Sequence, residues 1–276
     1  MRTYSDRVRA SLVTSEARPG ADEDAAGVLG DVAVLLDGAG IPQRFRAGCH
    51  HSVAWFSHTL AAHLLARATD PALSLRESLA AAIAEVKALH EHECDLEAGS
   101  PSATVVAVRR AGERLEHLVL CDSSLLLHGR DGTVRRLTDD RVDHLVIPGD
   151  AGGPAGGPGT ERASRSGGAP RTADEIEALR NAPGGFWLAR HEPEAAEEAL
   201  IGSVPLAELE AVHLVSDGVT RAVDLLGTHT ASTLSRALLS APGEVITQLR
   251  AAERDLPEAM RPRKIHDDAT ALTLRW

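Results

Sequence analysis

The chain has 276 residues, of which 43% are hydrophobic and 25% are charged. These are the proportions of an ordinary globular protein, and a chain of this length can bury a substantial core without disulfide or metal staples. Acidic residues outnumber basic ones by 40 to 29, which gives a net charge of −11. Because this charge repels nucleic acid and anionic membranes, we expect neither as a partner.

The number and spacing of the cysteines and the lack of long apolar runs indicate the compartment in which we expect the protein. Cys49, Cys94 and Cys121 are odd in number, far apart and form no CxxC pair. The spacing therefore indicates neither a disulfide framework nor a thiolate zinc site. No apolar run approaches the roughly 18 residues of a membrane span, and the first residues lack the apolar core of a signal peptide. We expect a cytoplasmic protein in a reducing environment.

Patterning in the N-terminal third predicts two strands and then two long helices. Alternating residues over 8–13 predict the first strand. The run over 28–36 is apolar on both faces and predicts a buried strand that stops at Asp37. Apolar residues then recur at helical spacing over 47–68 and 74–96.

The middle of the chain returns to strand patterning. Short apolar runs over 103–108, 115–121 and 125–128 predict an antiparallel meander. Asp131-Gly132 predicts a hairpin turn that leads into a further strand over 134–137. Strands segregated from helices favour an α+β fold over a regular βαβ alternation.

The C-terminal part follows a Gly/Pro-rich segment over 149–172, which we predict to be a flexible insertion. The segment is not taken as a domain boundary, because the strands beyond it need a sheet to join. We therefore expect one domain over residues 1–276. Predicted strands cover 186–189, 212–215 and 269–274, and predicted helices cover 194–201, 231–239 and 244–255.

Acidic residues fall repeatedly at the ends of predicted strands. Asp37 and Asp217 each follow an apolar run and precede a glycine. Carboxylates gathered in this way repel one another unless cations neutralise them, and Mg²⁺ and Mn²⁺ take oxygen ligands. Asp-Gly is also an ordinary turn pair, and we interpret Asp131-Gly132 as a turn alone. The other acids at strand ends are Glu23, Asp24, Asp122, Asp267 and Asp268.

Five blocks in chain order resemble the metal-dependent protein phosphatase family (PPM, or type 2C). They read ADEDA, LLDGAG, LCDSSLLL, HLVSDGVT and HDDATALTL, and the chain is similar to a divergent bacterial member. The resemblance covers essentially the whole chain except 149–172. It implies a four-layer α-β-β-α sandwich, in which two antiparallel sheets are flanked by helices and the metal centre lies at the strand ends between them.

The resemblance also implies a ligand set for two Mn²⁺ or Mg²⁺ ions and a third, weakly bound one. Asp37 would bridge the two ions, and the Gly38 carbonyl, Asp217 and Asp267 would be further ligands. Asp24 and Glu23 would hold water molecules that are bound to the ions, and Asp122 would help to bind the third ion. The implied mechanism is two-metal hydrolysis, in which an activated water attacks phosphorus in line and no phosphoenzyme forms.

Several residues depart from the family pattern. The block Asp22-Glu23-Asp24 stands where the family has Asn-Glu-Asp, and Asp267-Asp268 stands where it has Asp-Asn. Arg18 is the nearest candidate for the phosphate-binding arginine, although it lies one residue too far from that block. As in bacterial members, no histidine follows the first Asp-Gly.

The resemblance implies a phosphatase that acts on phosphoserine or phosphothreonine in proteins that a serine/threonine kinase has modified. Because of the departures, an alternative stays open: a catalytically inactive regulatory or binding module with the phosphatase fold. A third hypothesis is hydrolysis of a small phosphorylated metabolite.

Other constellations are weaker. His90 and Cys94 share a helix face, and Cys49-His50-His51 opens another helix. We interpret His90 and Cys94 as part of a solvated helix end, with a zinc site as the alternative, because the HExxH order is absent. For Cys49-His50-His51 the alternatives to a plain helix start are metal ligands or a redox thiol. Cys121 is interpreted as a small core residue. The chain has neither a P-loop nor a GxSxG elbow.

Overall fold

Two five-stranded antiparallel sheets form the centre of the protein in a computed structural model, which describes residues 8–39, 42–145, 172–262 and 264–276. The first sheet has the spatial order β1 (Arg9–Ser15), β10 (Ala269–Arg275), β9 (Leu209–Val215), β6 (Ser124–Gly129) and β7 (Val134–Leu137). The second has the order β2 (Ala25–Leu29), β3 (Val32–Leu36), β4 (Val105–Ala111), β5 (Arg114–Leu120) and β8 (Leu200–Pro205).

Helices cover the outer face of each sheet. The helices α1 (Val53–Ala68) and α2 (Leu75–His90) pack on the second sheet, after which a short helix, α3 (Ala173–Glu177), follows in the chain. The helices α4 (Asp217–Asp224), α5 (Ala231–Ser240) and α6 (Pro242–Asp255) pack on the first. Among the described residues, no helix combines the length and hydropathy that a membrane crossing requires.

The burial of β3 explains the four layers. Val34 and Leu36 pack against α1 and α2, whereas Ala33 and Leu35 pack into the layer between the two sheets. Successive side chains of a strand point to opposite faces, so a strand covered on both faces carries an uninterrupted apolar run. The predicted α-β-β-α sandwich is confirmed.

Two strand predictions need correction. The predicted strand over 28–36 spans a hairpin, because β2 and β3 pair antiparallel around Gly30, which has a φ of +61°. The predicted meander is wrong, because β5 and β6 lie in different sheets. The chain crosses between the sheets at Cys121, whose φ of +68° turns the backbone sharply. An apolar pattern predicts that a strand is buried, but it does not predict which other strand it pairs with.

Helix boundaries also differ from prediction. The helix α1 begins only at Val53, after Ser52 accepts a hydrogen bond from the Trp55 N–H, and α2 ends at His90. Instead of a helix over 194–201, a 3₁₀ turn over Pro193–Glu198 precedes β8, and the predicted strand over 186–189 makes only isolated bridges. The predicted insertion over 149–172 lies outside the described residues except for Thr172, which caps α3.

Candidate metal centre

Antiparallel pairing brings the acidic strand ends to one edge. Asp24 directly precedes β2 and Asp37 directly follows β3, and the adjoining residues Ala25 and Leu36 are paired. In the other sheet, Asp217 follows β9 and Asp267-Asp268 precede its neighbour β10. The Asp217 N–H donates to a carboxylate oxygen of Asp37 at 3.4 Å and so links the two sheets.

Backbone contacts hold Asp37 and Gly38 closely. The Gly38 N–H donates to the Glu23 carbonyl at 3.1 Å, and the Thr104 N–H donates to the Asp37 carbonyl at 2.8 Å. A Cβ added at Gly38 would lie 2.5 Å from Val53 Cγ1 and 2.7 Å from the Glu23 oxygen. A glycine is therefore required here for the close approach of the two chains.

Asp24 is a buried carboxylate of the centre. The residue is 3% exposed, and neither carboxylate oxygen has a hydrogen-bond partner among the described residues. Burial raises the pKa of Asp24 to about 7, with Asp217 adding to the rise. The hydroxyls of Thr270 and Ser216 lower this pKa, without forming hydrogen bonds of ordinary geometry to the carboxylate.

The neighbouring carboxylates disfavour one another's ionisation. Burial raises the pKa of Asp37 well above its usual range, and Asp24, Asp217 and Asp122 raise it further. Burial and then Asp267 raise the pKa of Asp217. For Asp122, burial and then Asp217 raise the pKa to about 7. The structure thus brings these five predicted residues into one electrostatically coupled group.

The adjacent acids Asp267 and Asp268 do different things. The Asp267 carboxylate is ion-paired with Arg221 at 2.7 Å and with Lys264 at 3.2 Å. Asp268 instead accepts hydrogen bonds from the backbone N–H groups of Ala17 at 2.6 Å and Glu23 at 2.9 Å. The residue that departs from the family's asparagine therefore holds the turn before β2.

Glu23 lies at the margin of the group. Burial raises the pKa of the Glu23 carboxyl, while the nearby Lys264 lowers it. The Ser57 hydroxyl donates to the Glu23 carbonyl at 2.6 Å. Arg18 is exposed, and its side chain forms no hydrogen bond or ion pair with the described part of the chain.

Sequence reasoning missed Arg46, which lies on a 3₁₀ turn over Gln43–Arg46. Its charge lowers the pKa of Glu23, and its Nε atom is buried without a hydrogen-bond partner among the described residues. No signal in the sequence pointed to Arg46, because it lies outside the five motif blocks.

The donor set fits hard divalent cations. Mg²⁺ and Mn²⁺ prefer carboxylate, carbonyl and water oxygens, which are the groups that converge here. The unpartnered oxygens of Asp24 and the raised pKa values around Asp37 are consistent with a site whose charge needs neutralisation by metal.

Comparisons with known proteins agree with this fold. The family model described as protein phosphatase 2C matches residues 20–146, which confirms the resemblance predicted from the motifs. No curated protein matches the chain in sequence.

Solved structures match over nearly the whole chain. The Mycobacterium tuberculosis serine/threonine phosphatase PstP/Ppp is 20% identical, with a TM-score of 0.59 and coverage of 97% of this chain and 98% of that one. The PstP catalytic domain in complex with two manganese ions is 20% identical, with a TM-score of 0.58 and coverage of 97% of both chains. The serine/threonine phosphatase Stp1 from Staphylococcus aureus is 14% identical, with a TM-score of 0.58 and coverage of 98% and 95%.

Proposed function

Because the chain has the protein phosphatase 2C fold and matches that family's model over residues 20–146, we propose that it is a metal-dependent phosphoprotein phosphatase. Its substrates are phosphoserine and phosphothreonine in proteins that a serine/threonine kinase has modified. The observation that carries the proposal is the meeting of Asp24, Asp37 and Asp217 between the two sheets, each with a raised pKa. Because ionised carboxylates this close repel one another, the group destabilises the folded state at neutral pH unless bound cations neutralise it.

The proposed centre takes two Mn²⁺ or Mg²⁺ ions, with a third bound more weakly. The first two ions would be held by Asp37, the Gly38 carbonyl, Asp217 and Asp267. Asp24 and Glu23 would hold them through water, and Asp122 would help to hold the third. When bound, the ions supply a water of lowered pKa and stabilise negative charge on the phosphoryl group.

Other residues of the chain orient these ligands. Arg250 donates to the Asp267 carbonyl at 2.6 Å. Asp268 accepts a hydrogen bond from the Glu23 N–H and thereby helps to position the next residue, Asp24. These contacts hold the acidic edge in place before substrate arrives.

The phosphate group needs a cationic partner, for which the chain offers two candidates. Arg18 is the position that the resemblance favours. Arg46 is favoured by its charge beside Glu23 and by its unpartnered Nε atom. A guanidinium pairs with phosphate oxygens through parallel N–H donors, so either arginine would orient the phosphoryl group toward the acidic edge.

The proposed setting is cytoplasmic, with a single catalytic domain and no nucleic-acid or membrane partner, in keeping with the net charge of −11. A second candidate function is an inactive regulatory or binding module. The ion pairs of Asp267 with Arg221 and Lys264 favour it, because both cations compete with metal for that carboxylate.

Turnover distinguishes the two functions. We would measure hydrolysis of p-nitrophenyl phosphate and of a phosphothreonine peptide with and without Mn²⁺ or Mg²⁺. The Asp217→Asn variant is compared with Asp131→Asn, since Asp131 occupies an exposed Asp-Gly turn. We expect metal-dependent turnover that falls about 100-fold or more in Asp217→Asn and persists in Asp131→Asn.

The contrary outcome is equally informative. A folded wild-type protein without metal-dependent turnover would favour the inactive module. Faster turnover of small phosphorylated metabolites than of phosphopeptides would replace the protein substrate with a metabolite.

A further inference from the structure

Two cysteines and two histidines meet at a second place in the fold. Cys49 and His51 lie just before α1, at Val53–Ala68, and His90 and Cys94 lie at and just beyond the end of α2, at Leu75–His90. One ligand atom from each residue lies within 4.8 Å of the ligand atoms of the other three. The cluster shares no residue with the acidic centre.

The spacing of the donor atoms resembles that of a tetrahedral site. Cys49 Sγ lies 3.1 Å from Cys94 Sγ, 3.3 Å from His90 Nδ1 and 3.5 Å from His51 Nδ1, and Cys94 Sγ lies 3.6 Å from His51 Nδ1. Zinc bonds of about 2.0–2.3 Å in tetrahedral geometry separate neighbouring donors by about 3.3–3.8 Å. Three of these separations fall within this range, and the two sulfurs would have to move apart by about 0.6 Å for one ion to be bound by both. All four donor atoms lie within 4.8 Å of one another, so one ion lies within reach of all of them.

The surroundings suit a closed site. His90 and Cys49 are buried, with 0% and 6% of their surface exposed. Beyond the cluster, Glu93 Oε1 lies 3.4 Å from His51 Nε2, the nitrogen that faces away from the sulfurs. A carboxylate on the second nitrogen fixes the orientation of a metal-binding imidazole. Two thiolates with two imidazoles in a tetrahedron select zinc over Mg²⁺ or Mn²⁺.

We propose that Cys49, His51, His90 and Cys94 bind one Zn²⁺ as a structural site with four protein ligands. The ion would tie the segment before α1 to the end of α2. That segment includes Arg46, three residues before Cys49, whose charge acts on both Cys49 and Glu23. The zinc site therefore anchors the turn that presents Arg46 to the acidic centre.

Metal content and spectroscopy test the proposal on the full chain. The reduced protein is stripped with a chelator, given one equivalent of Zn²⁺ or Co²⁺ in excess Mg²⁺, and passed through gel filtration. We expect about one Zn²⁺ to be retained per chain. Co²⁺ should produce the visible bands of a tetrahedral ion and a near-ultraviolet thiolate-to-cobalt charge-transfer band, both removed by Zn²⁺.

Variants identify the ligands. Cys49→Ser and Cys94→Ser should each weaken the charge-transfer band and lose zinc on gel filtration. His92→Ala is the matched control, because His92 lies in the same turn but is exposed and outside the cluster. It should retain zinc like the wild type.

A second measurement needs no variant. In the folded wild-type protein, Zn²⁺ but not Mg²⁺ should protect Cys94, the partly exposed thiol of the cluster, from a thiol-specific reagent, and a chelator should restore its reactivity. Zinc content no higher than in Cys49→Ser, or the absence of a thiolate-to-cobalt band, would overturn the proposal. A Cys49–Cys94 disulfide that persists in the presence of a mild reductant and excludes zinc would also overturn it. None of these measurements uses phosphatase activity, so they stand apart from the proposed catalytic function.

Discussion

Asp217 and Asp37 are 180 residues apart in the chain, yet the Asp217 N–H donates to the Asp37 carboxylate at 3.4 Å. Asp37 ends a strand of one sheet, and Asp217 opens α4 beyond a strand of the other. The contact places the positive N-terminal end of a helix next to a carboxylate, which is a favourable arrangement. It does not offset the mutual repulsion of the acids around it, whose pKa values stay raised.

The first prediction concerns Asp24 and pH. Burial raises the pKa of Asp24 to about 7 from an ordinary 3.8. Between these values the folded state retains a proton that the unfolded state has released, so this group lowers the free energy of unfolding as the pH rises. In metal-free protein, Asp24→Asn should unfold at a higher temperature than the wild type at pH 8, and the advantage should shrink toward pH 4.5.

The difference between the two proteins is the quantity to measure. Burial lowers the pKa of His213 to about 3, so its stabilising contribution is lost as the pH falls below about 6.5. This opposite trend is present in both proteins and cancels in the difference. Thermal unfolding in chelator across pH 4.5–8 gives the result, and a difference that does not change with pH would contradict the prediction. Added Mn²⁺ should stabilise the wild type more than Asp24→Asn at pH 8.

The second prediction concerns the close approach at Gly38. In Gly38→Ala, the new methyl would lie 2.5 Å from Val53 Cγ1 and 2.7 Å from the Glu23 carbonyl. We expect a loss of about 1–3 kcal/mol in the free energy of unfolding and a roughly 10- to 100-fold loss of metal-dependent turnover, because the ligands shift. Gly243→Ala is the control, since a Cβ at Gly243 meets nothing within 4 Å. Equal effects of the two substitutions on turnover would count against the role of Gly38.

The third prediction concerns the fully buried Glu253. Its carboxylate contacts Arg250 at 2.9 Å, Arg221 at 3.2 Å and His266 at 2.7 Å. Without Glu253, Arg221 keeps its pair with Asp267, but Arg250 and His266 lose their carboxylate partner. Breaking a buried ionic network in this way costs about 3–5 kcal/mol. Urea unfolding of Glu253→Ala should report a loss of this size.

An exposed ion pair supplies the control for Glu253. Glu210 pairs with Arg275 at 3.3 Å with much of both side chains in solvent, so Glu210→Ala should cost less than about 1 kcal/mol. Similar losses in the two variants would mean that the buried network contributes no more than a surface pair.

The fourth prediction concerns the phosphate partner. We expect Arg46→Ala to raise the KM for p-nitrophenyl phosphate about 10-fold or more, because a hydrogen bond to a charged group is lost, with a smaller change in kcat. Arg18→Ala is measured beside it. A larger rise in Arg18→Ala than in Arg46→Ala would assign the phosphate to Arg18 instead.

Element types followed from local patterns where burial has a simple period. The strand over Val134–Leu137 and the helices at Ala231–Ser240 and Pro242–Asp255 lie close to their predicted ranges. The hairpin at Gly30 was missed because Val28 and Leu29, at the end of β2, are apolar although exposed, so the run looked continuous with β3. The crossing at Cys121 was missed because the partner of a strand depends on which distant apolar faces bury one another.

The candidate sites divide in the same way. The acidic blocks and the resemblance to type 2C phosphatases could be recognised in the sequence, since each block is a local signature at a strand end. Only the tertiary structure brought Cys49 and His51 against His90 and Cys94, because about 40 residues of two helices separate the pairs in the chain. It alone decided that Asp267 pairs with Arg221 while Asp268 holds a backbone turn. A sequence states which ionisable groups a chain carries, but their burial, distances and partners are set by how the apolar faces pack.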